Sequence, residues 1–317
     1  MKSGHADEEF LVARVLFLTT YETNIDLVKL LTDDGLAVII CQVLRRHVNI
    51  RKESTSAKIV PTMMEDMALT EVLKLQFNVM HYCPQESEDF SPSIPLIIDL
   101  FNVEPAVPAN TINALVNALI NLDLEKQQYH NAMFDSSSKD NFNAKLVRVL
   151  RTTLSQCAPE NLDAQIAPLL TLIHKLYVIA PTEVKDTYKL QLLPDKEDRR
   201  EILGQSQSLP SLLLNLSTAP LAPQARELAA DLLFELSDKD ATKFVDNIGY
   251  GFASAYLFQH KIALPDNALT AAASTTDHPI NPITGQRLDM ETPFSGPEMT
   301  QEEKEREAER LMVLFDR

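Results

Sequence analysis

The sequence predicts an all-α protein of stacked helices. Three observations carry this. Apolar residues recur with helical period, without the alternation of strands. Prolines such as Pro159, Pro181, Pro194, Pro210, Pro220 and Pro223 break the apolar segments into helix-sized pieces. Glycine is scarce, 7 in 317 residues, which argues against a β-rich fold with many tight turns.

The elements follow in order. The run FLVARVLFLT, from Phe10, is strongly apolar and ends at polar residues. Asp33 and Asp34 precede LAVIICQVL and are placed to cap a helix. A further helix is predicted from Thr62 to Met80, with Pro61 at its start and Pro84 closing it. Residues Pro84 to Pro108 read as a long connection holding one short helix, IPLIIDLF. Helices then follow over Asn110 to Leu122, Phe142 to Cys157 and Leu162 to Ile179, with Ser136 to Asp140 as a loop tip. Apolar helices ending near Met80, Leu122, Ile179 and Leu236 overlap the period of armadillo and HEAT repeats, roughly 40 to 47 residues. Such units stack into an armadillo/HEAT-like solenoid, although a non-repetitive bundle gives a similar pattern. The division expected is a helical repeat domain over 1–263 and a tail over 264–317. In the tail, HPINPITGQ and TPFSGPEM read as extended chain. Thr300 and Glu303 form a capping box for a terminal helix that ends in LMVLF.

Composition narrows the function. Lys plus Arg is 29 against 45 Asp plus Glu, a formal charge of −16. That charge repels phosphate backbones, so no nucleic-acid partner is expected. Cys41, Cys83 and Cys157 are odd in number and far apart, which fits buried thiols in a reducing compartment rather than disulfides or a cysteine-based zinc site. The start, MKSGHADEEF, is polar and acidic, unlike a signal peptide. The most apolar stretch, Leu36 to Leu44, falls short of the roughly 20 residues that span a bilayer. A cytoplasmic protein with no direct membrane insertion is expected.

Catalytic motifs are thin. None of the seven histidines forms an H-x-x-x-H pair, GQSQS at Gly204 departs from G-x-S-x-G, and no P-loop occurs. No catalytic residue, metal or cofactor is expected, and an enzyme is the least favoured class. The most informative feature is NTINALVNALINL. Asn110, Asn113, Asn117 and Asn121 form one stripe along a helix, opposite Ile112, Leu115, Val116 and Leu119. Asparagine is a mediocre helix former, and its amide offers a donor and an acceptor that match a peptide main chain. Glu71, Lys74, Asn78 and His81 form a related stripe. An ordinary solvated face is the blander reading of both. Lys175, Lys185, Lys189, Arg199 and Arg200 stand out as a basic group, either receiving a partner's carboxylates or pairing with nearby Glu183, Asp186, Asp195, Glu197 and Asp198.

Several segments resemble the synembryn family. They are RVLFLTTYETN, ALTEVLKLQFNVM, NALVNALINL, LLPDKEDRREILGQSQSLPSLLLNLST, ELAADLLFELSDKDATKFVDNIGYGFASAYLF, HPINPITGQ and MTQEEKEREAERLMVLFDR. Together they cover nearly the whole chain. The resemblance implies an armadillo-like solenoid that acts as exchange factor and folding chaperone for heterotrimeric G-protein α subunits, by binding rather than bond chemistry. It implies a monomer, recruited to the cell cortex through a lipidated partner. The partner-facing residues expected are Lys74, Asn78, Asn113, Asn117, Asn121, Lys175, Lys185, Lys189 and Arg199. Tail contacts are expected from Asn281, Pro282, Gly285, Leu311, Leu314 and Phe315. The alternative is a peptide-binding adaptor without exchange activity. Phe252-Ala253-Ser254-Ala255 after the GYG segment resembles fungal members more than animal ones, and the acidic phosphorylation segment of animal members has no counterpart in LPDNALTAAASTT. Family members carry further helical repeats upstream, so this chain is expected to begin partway into the family pattern.

Overall fold

A computed structural model of the chain describes residues 5–21, 26–57, 61–105, 109–135, 141–263, 279–291 and Arg306. The expected loop tip Ser136 to Asp140, the TPFSGPEM segment and the expected terminal helix, with Leu311, Leu314 and Phe315, lie outside these residues.

Every regular element among the described residues is helical; the only β pairing there is a single bridge between Ile280 and Arg287. The first part comprises α1 (Ala6–Thr19), α2 (Leu27–Thr32), α3 (Leu36–Ala57), α4 (Met63–Tyr82), α5 (Ser87–Phe90), α6 (Ile94–Val103) and α7 (Asn110–Ile120). Next come α8 (His130–Phe134), α9 (Phe142–Gln156), α10 (Leu162–Ile179), α11 (Thr182–Leu192), α12 (Leu209–Leu216), α13 (Pro223–Leu236), α14 (Ala241–Ile248) and α15 (Tyr250–Gln259).

Two rows of neighbours organise these helices. In one, α1 packs on α4, α4 on α7, α7 on α10 and α10 on α13. In the other, α3 packs on α6, α6 on α9 and α9 on α12. The rows are joined by the pairs α3–α4, α6–α7, α9–α10 and α12–α13. A long core between them takes Leu73, Val79, Ile97, Phe101, Leu115, Leu119, Leu150, Leu169, Ile173, Leu213 and Leu232, all fully or almost fully buried. A smaller core lies under α14 and α15, built on Leu203, Leu233, Phe244, Ile248 and Leu257.

Local chemistry explains most boundaries. Thr62 rather than Pro61 caps α4: its side chain accepts from the Glu65 amide, and the Glu65 carboxylate returns a bond to the Thr62 amide. The helix after Asp33 and Asp34 starts beyond Gly35, which takes φ +63, a conformation glycine adopts without a Cβ penalty. The proline-rich stretch is more ordered than expected. Two 3₁₀ turns and α5 lead into α6, and the prolines occupy first-turn positions, where no amide is needed. Ile94, Ile97, Ile98, Leu100 and Phe101 of α6 are all buried, and this apolar face holds the segment down. The longest apolar helical stretch is also not Leu36 to Leu44. Pro159–Ile179 has the length and mean hydropathy, 1.3, of a spanning segment. Its apolar side chains Ile166, Leu169, Leu170, Leu172, Ile173 and Leu176 are buried in the long core.

A buried charged cluster ties α1 to α3. Glu9 and His47 are sealed from solvent, at 1 % and 0 % exposure. Glu9 Oε1 lies 2.6 Å from His47 Nε2, and Glu9 Oε2 accepts from Arg46 at 2.6 Å. Arg51, also buried, reaches Asp66 of α4 and Glu104 beyond α6. Burial pushes the Glu9 carboxyl up, but the His47 hydrogen bond and the Arg46 guanidinium outweigh it and hold it below its ordinary 4.5. Burial dominates at His47 and lowers its pKa below 6.5. The ring is therefore neutral, with Nε2–H donating to Glu9 and Nδ1 facing the Arg51 guanidinium at 3.4 Å.

The sign of the pH effect follows. Between the lowered value of native His47 and 6.5, the unfolded chain binds a proton that the native state does not. Acidification through that window therefore costs stability, and the Glu9 contribution is lost lower still, as pH falls from 4.5 through its folded value. Thermal denaturation from about pH 7.5 to about pH 5.5 should show a smaller acid-induced loss in His47→Gln than in the unmodified chain. Equal losses would mean that the native ring titrates like a free one.

Candidate functional site

The asparagine stripe of α7 borders a groove. Thr111, Ile112, Ala114, Leu115, Val116, Ala118 and Leu119 are buried, so α7 is held on its apolar sides and leaves one strip uncovered. Asn110 is exposed on that strip, and Asn113, Asn117 and Asn121 are half-buried. A cavity of about 390 Å³ opens beside it, lined by Asn110, Asn113, Asn117 and Ala114 of α7. Thr70, Leu73, Lys74, Phe77 and Asn78 of α4 face them, and Phe17 and Tyr21 close the end at α1. The Asn113 and Asn117 amides have no hydrogen-bond partner among the described residues. Half-buried amides beside an apolar wall are suited to a peptide main chain, which presents a matching donor and acceptor at each residue.

The rest of the stripe builds the groove. Asn78 is 6 % exposed and donates to Thr20 Oγ1 at 2.8 Å, while Thr20 donates to the Phe17 carbonyl. It therefore positions the end of α1 rather than offering a free amide. Asn121 donates to the Phe77 carbonyl, a long bond of 3.4 Å that ties α7 to α4. Glu71 is buried beneath two cations: Arg14 Nη1 lies 3.1 Å from one oxygen, and Lys74 Nζ lies 2.8 Å from the other. Arg14 also stands 5.8 Å above the Phe17 ring. Two cations against one anion leave the groove locally positive in a chain of charge −16. His81 stacks on Phe77 and stays exposed.

The five basic residues are not one cluster. Lys175 donates to the Ile120 carbonyl at 2.6 Å, satisfying the C-terminus of α7. It borders a second cavity of about 390 Å³ with Leu122, Leu124, His174 and Val178. Lys185 lies over the Tyr177 ring, and Lys189 pairs with Asp238 at 2.5 Å. Of the nearby acids considered as partners, Glu197 pairs with Arg200. Arg199 instead binds main-chain carbonyls of Asp246, Asn247 and Gly285. It thus caps the C-terminus of α14 and grips the tail with one side chain.

The HPINPITGQ segment, over its described residues 279–286, is a compact turn, not extended chain. Asn281 Oδ1 accepts from the Ile283 and Thr284 amides, and the Gly285 amide returns to the Asn281 carbonyl. The turn sits on the start of α15. The Pro282 carbonyl accepts from the Tyr250 amide and the Ile283 carbonyl from the Gly251 amide, capping that helix with main-chain oxygens. Gly285 requires its φ of +68, and a Cβ there would collide with Leu203, lying 2.7 Å from its Cγ.

Comparison with known proteins completes the picture. The model of a family described as "Ric8: Guanine nucleotide exchange factor synembryn" matches residues 1–317. The chain belongs to the synembryn family. A synembryn-like chaperone of Schizosaccharomyces pombe is 28 % identical over 276 residues, 80 % of this chain and 52 % of that protein. Chaperone Ric-8A of Macaca fascicularis is 28 % identical over 166 residues, 49 % of this chain and 31 % of its own length. The mouse protein of the same name is 30 % identical over 139 residues, 41 % of this chain and 26 % of its own. The chain thus spans about half the length of the yeast relative and about a third or less of these mammalian ones.

Sequence reasoning missed the aromatic wall of the groove. Phe17 and Tyr21, four residues apart and in edge contact at 5.2 Å, face the groove with Phe77. The four-residue spacing is visible in the sequence, but Phe17 lies within the apolar run FLVARVLFLT and no local feature marks it as groove-facing. Of the three cysteines expected to be buried, only Cys83 is; burial pushes all three thiols up, which disfavours the thiolate. Ser206 of the GQSQS segment bonds Asp198, Ser208 and Ser211, in a polar knot without a histidine. Gly285→Ala should release the tail turn. Amide exchange at Leu203, Tyr250 and Gly251 should then accelerate about tenfold or more, because a strained residue of this kind costs roughly 1–3 kcal/mol. Unchanged protection there would mean that the turn tolerates the methyl group.

Proposed function

We propose that this chain is a guanine nucleotide exchange factor and folding chaperone for G-protein α subunits, acting by binding. The family description and the names of its relatives support this reading. The carrying observation is the pair of unpartnered, half-buried amides of Asn113 and Asn117 in an aromatic-walled groove. A helix or strand of the α subunit would lie along the face of α4 and α7, with apolar side chains against Phe17, Tyr21 and Phe77. Its main chain would meet the asparagine amides, and Lys74 and Arg14 would favour a carboxylate nearby.

The architecture in this reading is an armadillo/HEAT-like solenoid. The pairs α3–α4, α6–α7, α9–α10 and α12–α13, stacked in two rows, support it. Exchange then needs no bond chemistry. A factor that binds the nucleotide-free α subunit more tightly than the GDP-bound form shifts the population toward nucleotide release, and GTP binding reverses the shift by the same linkage. The same preference shelters a folding intermediate, which is the chaperone role. We place the protein in the cytoplasm as a monomer, brought to the cell cortex by a lipidated partner.

An adaptor that binds without promoting exchange is the second reading. The specific observation behind it is coverage, since the chain spans 52 % of the yeast relative. GDP release from a purified α subunit separates the two: acceleration by saturating chain supports exchange, and an unchanged rate with retained binding favours the adaptor. Asn113→Ala with Asn117→Ala should weaken binding of a peptide that copies the C-terminal end of the α subunit. The loss should be about tenfold or more, as two lost hydrogen bonds near 1 kcal/mol each imply. The thermal midpoint should hold, because neither amide supports the fold. Unaltered peptide affinity would return the stripe to an ordinary solvated face.

A further inference from the structure

We propose that Glu227, Asp231 and His260 form a binding site for a divalent transition-metal ion that staples α15 to α13. Glu227 and Asp231 are four residues apart on α13, so both carboxylates leave the same face. His260 is the C-cap of α15. One ligand atom from each lies within 4.8 Å of the others, and His260 Nε2 is 3.0 Å from Glu227 Oε1. Donors around one zinc ion stand roughly 3.3 Å apart, at bonds of about 2.0–2.1 Å. The His260–Glu227 pair is already close to that spacing, and an Asp231 oxygen lies within 4.8 Å of both.

The surroundings hold these donors in place. Tyr256 donates its hydroxyl to Asp231 Oδ1 at 2.8 Å, leaving Oδ2 for the ion. Gln259 donates to Glu227 Oε2 at 3.3 Å, leaving Oε1. The His260 ring stacks on Tyr256 with centroids 4.1 Å apart. Hydrogen bonds of this kind to the non-ligating oxygens orient metal ligands and raise affinity. Tyr256 itself is fixed by edge contacts with Phe244 and a tilted contact with Phe234.

The donor chemistry selects the class of ion. An imidazole with two carboxylates suits zinc, cobalt or manganese, whereas magnesium and calcium prefer oxygen alone. Three protein ligands leave one position to water, which is open because His260 is exposed. The ligands are four and 29 residues apart, with the histidine beyond an intervening helix, so no sequence motif announces them.

The test uses the full chain and zinc chloride in calorimetric titration, with cobalt absorption to report coordination. We expect one site whose binding is lost in His260→Gln and in Asp231→Asn. Tyr256→Phe, which keeps the packed ring and removes only the hydroxyl, should weaken it about tenfold. Zinc should raise the thermal midpoint of the unmodified chain and leave that of His260→Gln unmoved. Absence of binding would overturn the proposal. So would equal affinity in the unmodified chain and the two ligand variants, which would mark an adventitious ion elsewhere.

Discussion

The packing of α7 is the constraint on which the candidate site depends. Seven of its eleven residues are buried, pressed against α4, α6 and α10. Each large apolar side chain withdrawn from water on that scale contributes about 1.5–3 kcal/mol, so the orientation of α7 about its axis is not negotiable. What remains is a strip one residue wide per turn, and the sequence fills that strip with asparagine. The groove is therefore the residue of core packing: it lies between α4 and α7, closed at one end by Phe17 and Tyr21.

Polar groups in this fold fall into two kinds, and burial separates them. Glu9, His47, Arg51 and Asn78 are sealed and hydrogen-bonded, tying α1, α3 and α4 to their neighbours. Such groups are costly to leave unpaired, which fixes the geometry of their neighbours. Asn113 and Asn117 are half-buried and unengaged among the described residues. The second kind can change partners at little cost to the fold, which is the property a binding face requires. The same contrast holds among the basic residues: Arg199 and Lys175 satisfy helix ends, whereas Lys74 and Arg14 share one buried carboxylate beside the groove.

Helix ends account for the far end of the chain. The short helices α14 and α15 meet at Gly249, and both junction ends need partners. Arg199 satisfies carbonyls at the end of α14, and the tail turn satisfies amides at the start of α15. Glycine at 249 and 251 lets the tail main chain come close, since a Cβ at either would stand 3.1–3.3 Å from the Ile283 carbonyl. The tail turn is thus a structural part of the body, placed 86 residues along the chain from the arginine that holds it.

Much of the fold was legible because it is local. Helical period and the placement of prolines fix α4, α7, α9 and α10 within a few residues. The four helix ends near Met80, Leu122, Ile179 and Leu236 belong to neighbours in one row, α4, α7, α10 and α13. The asparagine stripe was visible as well, because a 3.6-residue period puts those side chains on one face. What the stripe faces was not. The aromatic wall comes from α1 and α4, and the partners of Asn78, Lys175, Lys189 and Arg199 lie 47 to 86 residues away. The sequence by itself determined which face of each helix must be buried. Only the tertiary structure decided which polar groups are consumed in holding the helices together and which stay available, because that depends on contacts between elements that no local pattern encodes.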